Sequence, residues 1–204
     1  SQDWNKRANS INVKVQKSIY TKDFINKMDL TNASSLLDDG CGPGTICLAI
    51  ASKMQKVYAL DYSLGMLDCV KNNCKEKNLN HVNTIHKSWE DNWDEVPNAD
   101  IVVASRSMEV KDIKEAVLKL NSKANKRVYL TTKVGGTFID PEILNQLPRK
   151  VFPRPDYIYL LNVLHSMGIY AKVDFIKSEN TKFESSTPEE FIEKVAWSLG
   201  ELSH

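Results

Sequence analysis

The residues best suited to hold a ligand lie in one short run, Asp38-Asp39-Gly40-Cys41-Gly42-Pro43-Gly44-Thr45. Glycines at 40, 42 and 44 strip the Cβ atoms from one side of a turn, so a ligand can approach the backbone closely and φ can become positive. The spacing is G-x-G-x-G. A dinucleotide loop is G-x-G-x-x-G, and a phosphate loop needs Gly-Lys-Ser/Thr. Asp38, two residues before Gly40, suits a cationic ligand end such as an ammonium better than a phosphate. The same glycines would also serve a tight strand-to-helix turn in any α/β protein.

The elements that must position this run can be read from apolar periodicity. Residues 5–29 form a helical region with Ile11, Val15, Ile19, Phe24, Ile25 and Met28 on one stripe. A short strand at 35–38 runs into the glycines, and a helix follows over 45–54 with Ile46, Ala49, Ile50 and Met54 inward. A strand at 57–60 ends at Asp61. Ser63 can N-cap the next helix, whose Leu64, Leu67, Val70 and Cys74 face the core. Strands are expected at 82–86, 101–104 and 127–132, with a helix carrying Ile113, Ala116, Val117 and Leu120 between the last two. Asp156 begins a helix with Tyr157, Leu160, Leu161 and Leu164 on one face, ending before Gly168. Two final strands are expected at 171–176 and 181–185, and a last helix from Pro188.

Strands alternating with helices imply an α/β fold, a doubly wound and mostly parallel sheet of seven strands flanked by helices. Ligands bind such sheets beyond the carboxyl ends of the strands. That rule directs attention to 38–44, 61–62, 87–90 and 105–107.

On these residues the chain resembles the class I S-adenosylmethionine-dependent methyltransferases. Asp38-x-Gly40-x-Gly42-x-Gly44 is similar to their first motif, and Asp61-Tyr62-Ser63-Leu64-Gly65-Met66-Leu67 to their acidic-x-Ser-x-x-Met-Leu pattern. The resemblance spans about residues 30–135 in motif order. It implies a Rossmann-like methyltransferase fold and S-adenosylmethionine as cofactor, with S-adenosylhomocysteine as product. It implies that Asp61 accepts hydrogen bonds from the ribose hydroxyls, which a carboxylate can do two at a time. Tyr62 and Met66 would flank the adenine, and Ser88, Trp89 and Glu90 would lie at its edge. Cys41 belongs to the loop, and Ser105 ends the fourth-strand motif next to the transferred methyl. Two positions depart from the pattern: Asp39 is commonly apolar, and Ser88 stands where an aspartate is usual. Taken singly, Asp61 would more often cap a helix, and Trp89 would more often be partial core.

The resemblance also divides the chain into a helical cap over the active site (1–30) and a cofactor-binding domain (31–204), one structural domain overall. In-line methyl transfer needs alignment and water exclusion more than a fixed catalytic side chain, so no catalytic residue is assigned. Substrate candidates are Trp4, Arg7, Tyr20 and Phe24 in the covering segment, together with Arg106 and Tyr157. The planar fork of Arg106 suits an anionic acceptor, and equally an ion pair or a solvated surface. His165, near a helix C-terminus, is a weaker candidate for a base.

Composition bounds the acceptor. The chain has 204 residues, with 27 Lys+Arg against 26 Asp+Glu for a net charge of +1, and 42% hydrophobic residues. A core of ordinary size follows. A protein devoted to a phosphate backbone would be more basic, and 104–108 reads Ala-Ser-Arg-Ser-Met rather than Asn-Pro-Pro-aromatic. A small-molecule methyl acceptor is therefore expected in preference to nucleic acid. No run approaches the roughly 18 apolar residues of a membrane span, and no apolar leader opens the chain. Cys41, Cys47, Cys69 and Cys74 form no C-x-x-C pair. Reduced thiols, no metal site and a cytoplasmic protein are expected; the oligomeric state has no signature. Two other readings remain open. A nicotinamide-dependent oxidoreductase would need the other loop spacing, and a non-catalytic S-adenosylmethionine-binding module would have the same motifs.

Overall fold

The computed structural model describes residues 5, 19–135, 155–176 and 187–189. These fall into two compact units. The first runs through Thr132 and takes in 172–176; the second comprises 133–135, 155–171 and 187–189.

The first unit is a parallel sheet with helices on both faces. Its elements in chain order are α1 (Ile19–Asn26), β1 (Ser35–Asp39), α2 (Cys47–Ile50) with a following 3₁₀ turn (Ala51–Lys53), β2 (Lys56–Asp61), α3 (Leu64–Glu76), β3 (Val82–His86), β4 (Ala99–Ala104), α4 (Ile113–Lys123) and β5 (Ala124–Leu130). The strand order is β3-β2-β1-β4-β5, every pair parallel. The chain first winds outward from β1 to β3, then returns to the other side of β1 with β4. The crevice between β1 and β4, at their carboxyl ends, is therefore the topological switch point.

Burial explains the strands. All six residues of β4 are buried, as a central parallel strand covered on both faces requires. On one face Leu36, Val57, Ala59, Ile101 and Val103 pack with Phe24, Met28, Ile46, Ile50, Leu67 and Val70 in one cluster. On the other face α4 lies on β4 and β5 and buries Ala116, Val117 and Leu120. Side chains cap the helices: Ser63 Oγ accepts from the Met66 N–H, and Asp112 Oδ1 from the Glu115 N–H.

Several expectations are corrected. The helix after the glycines begins two residues later than its pattern suggested and tightens to 3₁₀ after Ile50. The Thr45 N–H is still part of the preceding turn, bonded to Cys41 O. Ala49 and Leu64, expected inward, are exposed. At 100° per residue each lies about 130° from the centre of its helix's buried stripe. The run 171–176 carries no regular secondary structure, and residues 171–175 are exposed, so its alternation has no buried face to drive pairing. Five strands are present among the described residues; 181–185 lies outside them. Residues 188–189 are helical, beginning at Pro188 as its pattern suggested.

In the second unit α5 (Tyr157–Ser166) is N-capped by Asp156, whose Oδ1 accepts from the Ile158 N–H at 3.0 Å. Leu160 and Leu164 are buried, while Tyr159 is exposed. No helix among the described residues is long and apolar enough to cross a membrane.

The amino edge of the sheet is tied by Asp100. Its carboxylate accepts from the Ser34 N–H (2.8 Å) and hydroxyl (3.0 Å) and pairs with Lys126 at 3.1 Å. The Ser34 amide, with Lys126 beside it, holds the carboxyl down at about 2. A depressed folded-state pKa stabilises above the unfolded value and is lost on acidification. Asp100→Asn should therefore lower stability by about 1–3 kcal/mol at neutral pH. The gap should close as pH falls from about 4 to about 2 in denaturant titrations of both proteins.

Candidate active site

The glycine loop leaves β1 at Asp39 and turns back over β2, where the Cys41 N–H donates to Leu60 O at 3.0 Å. Gly40 has φ +63°, and a Cβ there would fall 2.3 Å from the Ser107 Cβ. Its bare backbone lets the segment after β4 pack against the loop, and the Ser107 hydroxyl donates to Asp39 O at 3.0 Å. Gly42 has φ +56°, but a Cβ there would meet nothing within 4 Å. Gly40 therefore makes room for the protein's own chain, whereas Gly42 faces open space that a ligand can enter. The Gly44 N–H closes the turn onto Cys41 O. Cys41 is buried, and burial pushes its thiol well above its ordinary range.

Asp61, at the end of β2, joins this loop to the next helix. One carboxylate oxygen accepts from the Gly42 N–H and the other from the Ser63 N–H, each at 2.8 Å. The four lone pairs of the carboxylate are not exhausted by these amides and that of Tyr62, which leaves room for a hydroxyl donor. Burial raises its pKa, opposed by the amides of Ser63 and Gly42. Tyr62 is exposed, and Met66 is buried against Cys69.

Three carboxylates are buried at this edge: Asp38, Asp39 and Asp61 are each 5% exposed or less. Asp38 Oδ2 accepts from the Cys47 N–H at the start of α2 (3.0 Å), while its Oδ1 has no partner. Burial, with the Asp61 charge adding to it, pushes Asp38 up to about 7 against the pull of the Cys47 amide. Asp39 alternates to the opposite face, where burial and the neighbouring acids raise it well above its usual range. Its Oδ2 is likewise unpartnered. A buried, unpartnered carboxylate oxygen is costly unless a donor or cation meets it. The orphaned oxygen of Asp38, buried at the carboxyl end of β1, thus fits a cofactor with a cationic amino end.

After β3, the Ser88 N–H donates to Asp91 Oδ2 at 2.7 Å, and the Trp93 indole donates to Ser88 O at 2.9 Å. Trp89 stacks on Trp93 with ring centroids 5.4 Å apart, and its carbonyl accepts from the Lys119 ammonium. Trp89 is half-buried and Glu90 exposed. At the end of β4, Ser105 Oγ lies 2.8 Å from the Tyr20 hydroxyl, which also meets Thr131 Oγ1 at 2.9 Å. The Arg106 guanidinium lies 3.7 Å above the Tyr20 ring. Tyr20 and Arg106 are thus brought together with Ser105. Phe24 is buried, its ring stacked on Tyr20 with centroids 6.1 Å apart. Tyr157 and His165 belong to the second unit; Tyr157 is half-buried, and His165 is exposed with its ring edge-on to Tyr170. Trp4 and Arg7 lie outside the described residues.

Sequence reasoning missed three participants. Thr131 follows β5 and could have been found by the rule that led to Ser105 after β4. Asp91 lies one residue beyond the segment singled out. Asn5 gave no signal: its Oδ1 accepts from the Ser63 hydroxyl (2.6 Å) and the Gly65 N–H (3.0 Å), reinforcing the start of α3 next to Asp61. Among the described residues no cluster of three His, Cys, Asp or Glu could hold a metal ion.

The two glycines separate by experiment. Gly40→Ala combines left-handed strain with a clash and should cost about 2–4 kcal/mol in chemical denaturation. Gly42→Ala should cost about 1–2 kcal/mol for its backbone alone, yet weaken cofactor binding more than ten-fold in titration.

Comparisons with known proteins agree with this architecture. A family described as a methyltransferase domain matches residues 36–126, the stretch from β1 into β5. An uncharacterized protein of Haemophilus influenzae is 42% identical over 202 residues, covering 98% of this chain and 75% of its own length. Magnesium protoporphyrin IX methyltransferase from Synechocystis PCC 6803 with bound SAH superposes with a TM-score of 0.58 at 14% identity, covering 85% of this chain and 77% of that one. A chain of the complex between the Haloferax volcanii Trm112 methyltransferase activator and a methyltransferase gives 0.65 at 14% identity, covering 96% and 92%. With a methyltransferase domain matched over residues 36–126 and a doubly wound parallel sheet around it, the chain belongs to the class I S-adenosylmethionine-dependent methyltransferases.

Proposed function

We propose that this protein transfers the methyl group of S-adenosylmethionine to a small-molecule acceptor by in-line displacement, chiefly through positioning. The observation that carries the reading is the Asp61 carboxylate, held between the Gly42 and Ser63 amides beside the open face of the glycine loop. When bound, S-adenosylmethionine supplies an electrophilic methyl on a sulfonium. In this reading Asp61 receives the ribose hydroxyls, and the unpartnered oxygen of Asp38 receives the amino end. Gly40, Cys41, Gly42 and Gly44 shape the loop around it. Tyr62 and Met66 flank the adenine with Ser88, Trp89 and Glu90 at its edge, and Ser105 stands near the methyl. Two features favour a small acceptor: the charge balance of +1, and the Ala-Ser-Arg-Ser exit of β4 in place of a base-stacking Pro-Pro.

Calorimetric titration with S-adenosylmethionine, S-adenosylhomocysteine and NAD tests the reading. Micromolar binding of the first two without NAD is expected; binding of NAD alone would overturn it. Asp61→Asn should weaken the first two by about 10–100-fold, the loss of one or two charge-assisted hydrogen bonds.

Affinity should also depend on pH through Asp38. In the free protein this carboxyl titrates at about 7, and a bound ammonium favours its ionised form. Below about 7 binding must first expel a proton, so affinity should fall by up to about ten-fold per pH unit. Asp38→Asn should flatten that profile between pH 6 and 8.

A further inference from the structure

We propose that the exit of β4 is an oxyanion-binding subsite anchored by Arg106, and that the methyl acceptor presents a carboxylate or phosphoryl group to it. The inference rests on the methyl-transfer reading, which it extends to the chemical class of the acceptor.

Arg106 is held at both ends before any ligand arrives. Its backbone has φ +60°, a left-handed conformation that non-glycine residues seldom adopt and that concentrates at ligand clamps. Its N–H donates to Thr131 Oγ1 at 3.0 Å, which pins that conformation across to the end of β5. The guanidinium carbon lies over Tyr20, 3.7 Å from the ring centre. Tyr20 is itself fixed by its hydroxyl, which meets Ser105 and Thr131, and by stacking on the buried Phe24. The ring covers one side of the guanidinium carbon. The N–H donors of a guanidinium lie in its own plane, the direction from which a carboxylate or phosphoryl group is gripped by two bonds.

The charge pattern of the site agrees. The ends of β1 and β2 offer an anion only buried acids. Arg106 is the cation presented at the end of β4, and the ion pairs among the described residues are made by Lys27, Lys71, Lys119, Lys126 and Arg127 instead. Ser107, the next residue, packs against Gly40 and donates to Asp39 O, so the arginine is one residue from the loop assigned to the cofactor. A cationic cofactor end at Asp38 and an anionic acceptor end at Arg106 would then face each other across the β1/β4 crevice.

The test uses three matched probes: benzoate, phenyl phosphate and the neutral benzamide. Each is titrated by NMR into the purified chain, with and without S-adenosylhomocysteine. Saturable binding of at least one anion, at least ten-fold tighter than benzamide, is expected. Preference for benzoate assigns a carboxylate acceptor, and preference for phenyl phosphate a phosphoryl one. Arg106→Gly should weaken the bound anion at least ten-fold and leave S-adenosylhomocysteine affinity within two-fold. Its Tm should be unchanged or raised, because glycine relieves the left-handed strain. Arg106→Lys should fall between, keeping charge without the fork. Equal affinity for benzamide, no anion binding, or an Arg106→Gly protein that binds the anion as before would each overturn the subsite. If S-adenosylhomocysteine fails to bind while the anion still binds through Arg106, the methyl-transfer reading falls and the subsite stands.

Discussion

The site depends on one carboxylate. Asp61 ends β2 and accepts hydrogen bonds from the Gly42 amide on one oxygen and from the Ser63 amide on the other. It thereby ties the glycine loop after β1 to the first turn of α3, two segments that would otherwise be independent loops at the edge of a sheet. Ser63 then caps α3, and Asn5 braces the same turn from outside. The parallel pairing of β1 with β2 makes this bridge feasible, since the register Asp39↔Leu60 brings the loop alongside Asp61.

Holding three acids at that edge has an electrostatic cost. Asp38, Asp39 and Asp61 are all buried, each shifted upward by desolvation first and by its neighbours second where those are felt. Nothing in packing alone calls for them. Their arrangement is what a site prepared for a cation looks like, with the ligand completing hydrogen bonds that the fold leaves open. The opposite edge shows the contrast. There Asp100 is fully engaged by Ser34 and Lys126 and is held low, as a structural carboxylate is.

Much of this was legible along the chain. The glycine run, Asp61 at a strand end and the Ser63 cap are local features, because positive φ, strand termini and capping each depend on a few adjacent residues. The continuous apolar run 101–104 announced a central strand for the same reason. The pattern misled where a helix's length was ambiguous. Ala49 and Leu64 fitted an i, i+3 spacing but fell on the solvent side once the true stripe was centred on Cys47–Ile50 and on Met66–Cys74. The run 171–176 alternates like a strand, yet alternation is a property of the chain, and pairing requires a neighbour.

What the sequence by itself determined, then, was the kind of turn, the order of elements and the acids at the strand ends. Only the tertiary structure decided which distant side chains meet there. Tyr20 reaches Ser105 and Thr131 across separations of 85 and 111 residues, and Gly40 owes its missing Cβ to Ser107 as well as to its own turn. Such contacts follow from strand order. Placing β4 beside β1 and β5 beside β4 brings their carboxyl ends together, and no local spacing encodes which strands become neighbours.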